Sequence, residues 1–331
     1  MAEGDGDQQE LRELVDFLSD KRDNVRQMAL SLVVGLTGSP EGMEKLSGAP
    51  DLLPALLRLV PDRDAEVSRN ALTALVNISQ GADAVSRLLE LRAIHRLMDF
   101  LQEGACPHHD LLAMLLANLT APQAGTDALL QVRDGSTAGL YLAVLLRRFL
   151  DSAGAQPDAF EHVALVLTNA TRSRAARELL LEPGRGVAAA LAAQLAGDRG
   201  LVRRRGCAAA LRNLSFSAAA DGTLERLVAD AGVLTAMLEP LCGWEAPKEG
   251  DSVVRESLAE ALMMLAETEA GRKALWGVRA PEMLKKGYEL EEDAGVCLAM
   301  ECMAQLFLQD GLQAEDGVPE AGRPELLGSA G

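Results

Sequence analysis

The chain has 331 residues, of which 48% are hydrophobic, 24% are charged and only 3% are aromatic, and its formal net charge is −17. Most of the apolar residues are Ala, Leu, Val and Met, which, Val apart, favour helices, whereas strands use aromatic and β-branched side chains. This composition excludes an intrinsically disordered chain and argues against an all-β fold. The acidic balance disfavours binding to nucleic acid or to an anionic membrane.

Targeting signals and cysteine pairs are both missing from the sequence. It contains no apolar run long enough to span a membrane, and its first residues, MAEGDGDQQE, form no basic, apolar leader. The five cysteines include no C-x-x-C pair, and most lie in apolar runs, as small buried residues do. We therefore expect a cytoplasmic protein.

A short pattern recurs along the chain. A small residue and a Leu precede an Asn that is flanked by apolar residues, and the pattern closes on Ser or Thr, as in ALVNIS and LLANLT. Four copies keep the Asn and two are degenerate, and the anchor positions are Gly35, Asn77, Asn118, Asn169, Asn213 and Met264. Successive anchors are separated by 42, 41, 51, 44 and 51 residues. This spacing is close to the period of about 40–47 residues of armadillo and HEAT repeats.

Each anchor is followed by a short apolar helix, a second helix, and a polar link to a longer third helix that carries the next anchor. The third helix at 64–79 has a stripe at helical spacing, which predicts burial of one face: Val67, Ala71, Leu72, Leu75 and Ile78. We count seven units, roughly at 11–48, 49–91, 92–135, 136–183, 184–230, 231–277 and 278–309.

The predicted fold class is all-α, a right-handed armadillo/HEAT-type superhelical solenoid of about seven helical repeats, in which stacking of the units supplies the core. It occupies residues 11–309. A flexible acidic N-terminus is predicted at 1–10, and a disordered tail rich in Gly, Pro and acids at 310–331.

Residues for catalysis are scarce. The sequence has no nucleophile-elbow, phosphate-loop or zinc-protease motif. The run Cys106-Pro107-His108-His109 lies in a predicted loop and has no second ligand pair at zinc-site spacing. His162 begins an apolar helix, where a capping or surface role is favoured over that of a base. We expect no enzyme activity, no metal and no cofactor.

The recurring asparagines are candidate binding residues. Four of them, Asn77, Asn118, Asn169 and Asn213, stand at one position of successive third helices, so their amides can hydrogen-bond to an extended peptide along a groove. The alternative is that each Asn ties the end of its helix to a neighbouring loop.

A cluster of arginines is the second candidate. The segment 199–212 contains no acid and carries five arginines, Arg199, Arg203, Arg204, Arg205 and Arg212. Mutual repulsion among these guanidinium groups favours a carboxylate-rich partner, and the alternative is pairing with the protein's own acids.

The stretch VRRRGCAAALRNLSF at 202–216 resembles the signature of the HGH family of armadillo-like proteins. Two further stretches are similar to that family, LTNATRSRAARELLLEP at 167–183 and VVRESLAEALMMLAETEAGRKALW at 253–276. The signature falls on Arg203, Arg204, Gly206, Arg212, Asn213 and Phe216. The resemblance covers about 160–309.

The resemblance implies a cytosolic chaperone cofactor that binds translation elongation factor 2 during folding and links it to the cytosolic chaperonin. The expected partner-binding residues are Arg203, Arg204, Arg205, Arg212, Asn213, Phe216, Asn77, Asn118 and Asn169, and we expect a monomer. A general armadillo scaffold for another protein is the alternative. A nuclear-import adaptor is disfavoured, because no Trp lies four residues before any anchor Asn, where such adaptors clamp lysines.

Overall fold

The computed structural model describes the backbone of residues 2–132 and 137–316, and every regular element in those ranges is helical. After α1 (Ala2–Phe17), the third helices of the predicted units are α2 (Asp23–Leu36), α5 (Ala65–Ile78), α8 (His109–Thr120), α11 (Val163–Ala170), α14 (Leu201–Ser217), α17 (Ser252–Ala266) and α20 (Ala294–Asp316).

The shorter helices lie between them in pairs. The first helices are α3 (Pro40–Ser47), α6 (Ala82–Glu90), α9 (Gln123–Leu130), α12 (Arg174–Leu180), α15 (Leu224–Val228) and α18 (Glu269–Gly277). The second helices are α4 (Leu52–Leu59), α7 (Ala93–Glu103), α10 (Leu140–Asp151), α13 (Val187–Ala192), which continues as a 3₁₀ turn at Ala193–Leu195, α16 (Ala231–Cys242) and α19 (Ala280–Tyr288).

The chain divides into two compact units, Met1–Ala210 and Leu211–Gly331, which we call unit 1 and unit 2. In unit 1 the third helices pack in succession, α2 on α5, α5 on α8 and α8 on α11. In unit 2 each helix packs on its counterpart in the next repeat, α15 on α18, α16 on α19 and α17 on α20. Corresponding helices of successive repeats therefore pack on one another, as in a stack of repeats.

Helix α5 shows why the repeat forms. The Asp64 carboxylate caps the helix by accepting hydrogen bonds from the backbone N–H groups of Glu66 and Val67, at 2.9 and 3.0 Å. The predicted stripe from Val67 to Ile78 is buried, while Arg69 on the other side of the helix is exposed. The predicted inner face of this helix is confirmed.

Two helices extend past the predicted bounds of the repeat domain, residues 11 and 309. Helix α1 begins at Ala2, so residues 2–10 are helical where a flexible segment is predicted; each added residue extends a helix whose later turns already pack on α2. Helix α20 continues to Asp316, past the predicted boundary at 309. The rest of the predicted tail, 317–331, lies outside the described residues.

No helix in the described part of the chain is both long enough and apolar enough to cross a membrane.

Candidate protein-binding surface

Arg203 lies inside unit 1, on the first half of α14, with 1% of its surface exposed. Its guanidinium donates to Asp158 Oδ2 from Nε at 2.8 Å and from Nη2 at 2.6 Å. Nη1 donates to the Phe149 carbonyl at 2.8 Å and to Gln194 Oε1 at 3.1 Å, and Nη2 also donates to Ser152 Oγ at 3.0 Å. One side chain thus joins α14 to the end of α10, the loop before α11 and the 3₁₀ turn.

The surroundings of Arg203 complete a closed polar cluster. The guanidinium carbon lies 3.8 Å from the centre of the Phe149 ring, a cation–π contact. Asp158 Oδ1 accepts from Ser152 Oγ at 2.8 Å and from the Phe160 backbone N–H at 3.1 Å. The expectation that Arg203 binds a partner is therefore corrected, because the side chain is buried and its donors are used within the fold.

The neighbouring arginines occupy different environments. Arg204 is half-buried and donates to the Arg199 carbonyl, whereas Arg205 is exposed. A run of adjacent arginines on a helix necessarily points in directions about 100° apart, so one run cannot form one surface. Of the three, Arg205 is the most exposed.

In unit 2, the last turns of α14 carry the remaining predicted residues. Arg212 is exposed and its Nε lies 2.6 Å from Glu260 Oε2 on α17, an ion pair of the kind that the sequence left as the alternative to partner binding. Asn213 is half-buried. Phe216 is 70% exposed. We call Arg212, Phe216 and Glu260 the α14–α17 surface.

The asparagines of the predicted ladder form hydrogen bonds between successive repeats of unit 1. Asn77 Nδ2 donates to Thr37 Oγ1 at 2.8 Å, and Asn118 Nδ2 donates to Ser79 Oγ at 2.9 Å. Asn169 Nδ2 donates to Thr120 Oγ1 at 3.2 Å. In each case the acceptor is the hydroxyl that closes the pattern one repeat earlier.

The same hydroxyls donate within their own helices. Ser79 Oγ donates to the Val76 carbonyl at 2.9 Å, and Thr120 Oγ1 donates to the Leu116 carbonyl at 2.8 Å. The hydroxyl is therefore needed both as donor and as acceptor, which explains the Ser or Thr in the repeat. The three amides thus bond the preceding repeat, a longer-range version of the predicted alternative, and a peptide-gripping role for them stays a prediction.

Gly206, in the family signature, permits the close approach of α14 to α11. A Cβ atom at this position would lie 2.4 Å from Ala164 Cβ and 2.7 Å from the Ala164 carbonyl carbon. Thr168 Oγ1 on α11 donates to the Gly206 carbonyl at 3.0 Å, which fixes the contact. The glycine is thus part of the packing between neighbouring repeats.

The sequence's candidate metal residues have other contacts. Cys106 is buried, His108 Nε2 lies 2.8 Å from the Ala65 carbonyl, and the His109 ring stacks on Phe160 with centroids 5.0 Å apart. Burial, followed by the charge of Arg148, lowers the pKa of His109. Among the described residues no group of three or more His, Cys, Asp or Glu side chains is arranged to hold a metal ion.

Sequence reasoning missed several exposed apolar side chains on third helices. Met28 and Leu32 stand one turn apart on α2, and Leu165 lies on α11, all exposed to solvent. They belong to helices whose buried stripe is already complete, so a helical-wheel count of apolar residues off that stripe is the signal that identifies them.

Solved structures with similar folds define the class of this protein. An engineered protein gives a TM-score of 0.72 at 19% identity, covering 91% of this chain and 71% of its own. A designed armadillo repeat protein solved with the peptide (KR)4 gives a TM-score of 0.61 at 17% identity, and the match covers 77% of this chain and 99% of the designed protein. A chain from a study of the interaction between cadherin and β-catenin gives a TM-score of 0.65 at 17% identity, and the match covers 93% of this chain and 58% of the other. The protein is an armadillo-type α-solenoid.

The family follows from sequence. The profile of a domain of unknown function, DUF383, matches residues 101–274, more than half of the chain. Proteins named Protein HGH1 homolog align along nearly all of it: that of Homo sapiens is 29% identical over 96% of this chain and 85% of its own length, and that of Danio rerio is 26% identical over 96% and 87%. The chain belongs to this DUF383, or HGH, family, which confirms the resemblance seen at 202–216.

Proposed function

We propose that this protein is a non-catalytic, protein-binding solenoid of the cytosol that acts as a chaperone cofactor. Its client is translation elongation factor 2 during folding, and it links that client to the cytosolic chaperonin. Family membership supports the proposal, because the HGH resemblance implies this role. The solenoid fold agrees with it, since stacked repeats present extended surfaces for other proteins.

The observation that carries the proposal at the level of residues is the exposure of Phe216. An aromatic side chain 70% exposed at the end of a packed helix contributes little to folding, and exposed aromatic residues are typical anchors of protein interfaces. Arg212 lies one helical turn before Phe216 on α14, and its ion pair with Glu260 leaves the two side chains 47% and 33% exposed. The α14–α17 surface therefore offers an apolar anchor beside polar groups, as binding surfaces do.

The test is affinity capture from cytosolic extract with the tagged full-length chain, scored by mass spectrometry. The unsubstituted protein should enrich elongation factor 2 and chaperonin subunits. Phe216→Ser should lower recovery of elongation factor 2 by about tenfold or more, as removal of an interface anchor does. The matched control is Phe17→Ser, because Phe17 is also an exposed phenylalanine, at 49%, and lies on α1 in unit 1.

Two results would contradict the proposal. One is absence of elongation factor 2 from the material captured by the unsubstituted protein. The other is equal recovery with Phe216→Ser and Phe17→Ser, which removes the α14–α17 surface from the function. Capture from extract depleted of elongation factor 2 tests the link, because bridging predicts that chaperonin recovery falls with the client.

The alternative, a general scaffold that grips a peptide through Asn77, Asn118 and Asn169, has less support. Each of the three amide groups donates a hydrogen bond to the preceding repeat, so part of its bonding capacity is used within the fold.

A further inference from the structure

Unit 2 contains an apolar groove at the last repeat, formed by α18, α19 and α20. It has a volume of about 500 Å³. Its apolar lining comes from Trp276, Leu284, Tyr288, Met300, Phe307 and Leu308. We call it the terminal groove. Its walls are held in place by an edge-to-face contact between the Trp276 and Phe307 rings, 5.6 Å apart, and by a hydrogen bond of 2.5 Å from Tyr288 Oη to Glu301 Oε1.

The terminal groove lies on a face of α19 different from the one that packs on the previous repeat. That packed face is marked by Gly287, where a Cβ atom would lie 2.6 Å from the Leu241 carbonyl oxygen of α16. At 100° per residue, Leu284 and Tyr288 lie roughly 60–100° around the helix from Gly287, and Pro281 lies about 120° away. The groove is therefore not occupied by the packing of α19 on the previous repeat.

The outer face of a terminal repeat is normally polar, because no further repeat covers it. Here three lining side chains are substantially exposed, Trp276 at 50%, Tyr288 at 43% and Leu308 at 68%. Clustered exposed apolar side chains of this kind mark sites of interaction with another molecule. Within unit 2, helices cover the apolar faces of earlier helices, α19 on α16 and α20 on α17, so a helix is the shape that fits the terminal groove.

Charge indicates the chemistry of that helix. The groove also touches two carboxylates, Glu289 and Glu301, and one ammonium group, Lys285, and the whole chain carries −17. We propose that the terminal groove binds an amphipathic α-helix of a partner protein, one whose apolar stripe is flanked by lysine or arginine. The stripe enters the groove while the basic flank meets the rim carboxylates, the helix-in-groove mode of recognition.

The fluorescence of Trp276 gives a direct readout, because the chain has two tryptophans and Trp244→Phe leaves Trp276 as the single emitter. The probe is a synthetic helical peptide of about four turns, with Leu on one face and Lys elsewhere. On the full-length Trp244→Phe protein, the peptide should shift Trp276 emission to the blue in a saturable way. A Leu/Glu peptide and a Leu/Lys peptide of scrambled order should bind about tenfold more weakly or not at all.

Two substitutions on α20 form a matched pair. Leu308→Gln removes an apolar group from the groove and should weaken the peptide about tenfold, the usual effect of losing one well-buried leucine at an interface. Leu298→Gln makes the same change at a side chain that is 62% exposed and does not line the groove, so affinity should stay unchanged. Both positions are exposed enough for the fold to survive, which thermal unfolding checks.

Four results would overturn the proposal. Equal binding of the Leu/Lys and Leu/Glu peptides removes the charge argument, and equal loss with both glutamine substitutions removes the groove. A dimer in sedimentation that Leu308→Gln dissociates makes a second copy of this chain the occupant. Leu326 and Leu327 are also replaced by Ser, and Trp276 emission is measured without peptide. A change in that emission would show that the chain's own C-terminal segment occupies the groove. The α14–α17 surface is tested separately by Phe216, so either proposal can fail alone.

Discussion

Arg203 and Asp158 form a buried ion pair in unit 1, with 1% and 11% of their side chains exposed and 2.6 Å between Nη2 and Oδ2. The pair is 45 residues apart in sequence and is surrounded by the Phe149 carbonyl, Ser152 and Gln194. Arg203, which belongs to the family signature, therefore stabilises the fold and is not part of a contact surface.

We expect Arg203→Lys to lower the free energy of unfolding by about 3 kcal/mol, because an ammonium group cannot reproduce the forked contacts and leaves buried acceptors unpaired. Chemical denaturation followed by circular dichroism measures this. Arg205→Lys is the matched control at the exposed arginine two positions on, and it should change stability by less than about 0.5 kcal/mol. Equal stability of the two variants would show that the buried cluster is not needed for folding.

Gly206→Ala and Gly35→Ala should change stability in opposite directions. At Gly206 the added methyl overlaps Ala164 on α11, so the expected loss is about 1–3 kcal/mol. At Gly35, inside α2, a Cβ atom meets nothing within 4 Å, so alanine should stabilise the helix by about 0.5–1 kcal/mol. Thermal unfolding of the two variants measures both changes in stability. A stabilised Gly206→Ala protein would contradict the close packing of α14 on α11.

A double-mutant cycle on Asn118 and Ser79 tests whether amide and hydroxyl couple neighbouring repeats. Each single alanine substitution should lower the free energy of unfolding by about 1 kcal/mol. The double variant should lose less than the sum of the two single losses, because the same hydrogen bond between Asn118 and Ser79 is lost in all three variants. Hydrogen exchange should show the loss first in the two third helices concerned, α5 and α8. Strict additivity would mean that the 2.9 Å contact contributes nothing to stability.

Glu291 makes the stability of unit 2 dependent on pH. Burial raises the pKa of its carboxyl, but hydrogen bonds from Arg255, the Asp293 backbone N–H and Lys248 outweigh that effect and hold the pKa at about 2. The Arg255 bonds are both 2.8 Å, and the Lys248 contact is 3.0 Å. A depressed pKa means that the stabilisation is complete above the ordinary value of 4.5 and is lost as the pH falls towards 2.

Glu291→Gln should therefore destabilise the protein by about 3 kcal/mol near neutral pH, because it removes the carboxylate that pairs with Arg255 and Lys248. The difference from the unsubstituted protein should shrink between pH 4.5 and about 2. Denaturation curves across this range measure it. Glu292→Gln is the control, because Glu292 is the exposed neighbour. A difference that does not depend on pH would exclude the ion cluster as its cause.

Much of the fold could be predicted from sequence because the relevant signals are local. The stripe from Val67 to Ile78 and the recurring anchors specify helices and their order, since helical periodicity depends only on residues a few positions apart. The solenoid class follows from the same local patterns, whereas the family was indicated by the resemblance of stretches such as 202–216. The polar residues at the anchors were also found in this way, but their bonding roles within the fold were predicted only as an alternative.

Those roles depend on partners far along the chain. Arg203 is one of several similar arginines in sequence, and only the packing of α14 beside α10 and the 3₁₀ turn brings it to Asp158, Phe149 and Gln194. Asn118 meets Ser79 because two third helices stack in register, 39 residues apart. The terminal groove likewise exists only where three helices leave one apolar face uncovered. Local periodicity determined the helices and their buried faces, whereas tertiary packing alone decided which polar groups are paired inside and which remain available to a partner, because burial and hydrogen bonding are properties of the assembled repeats.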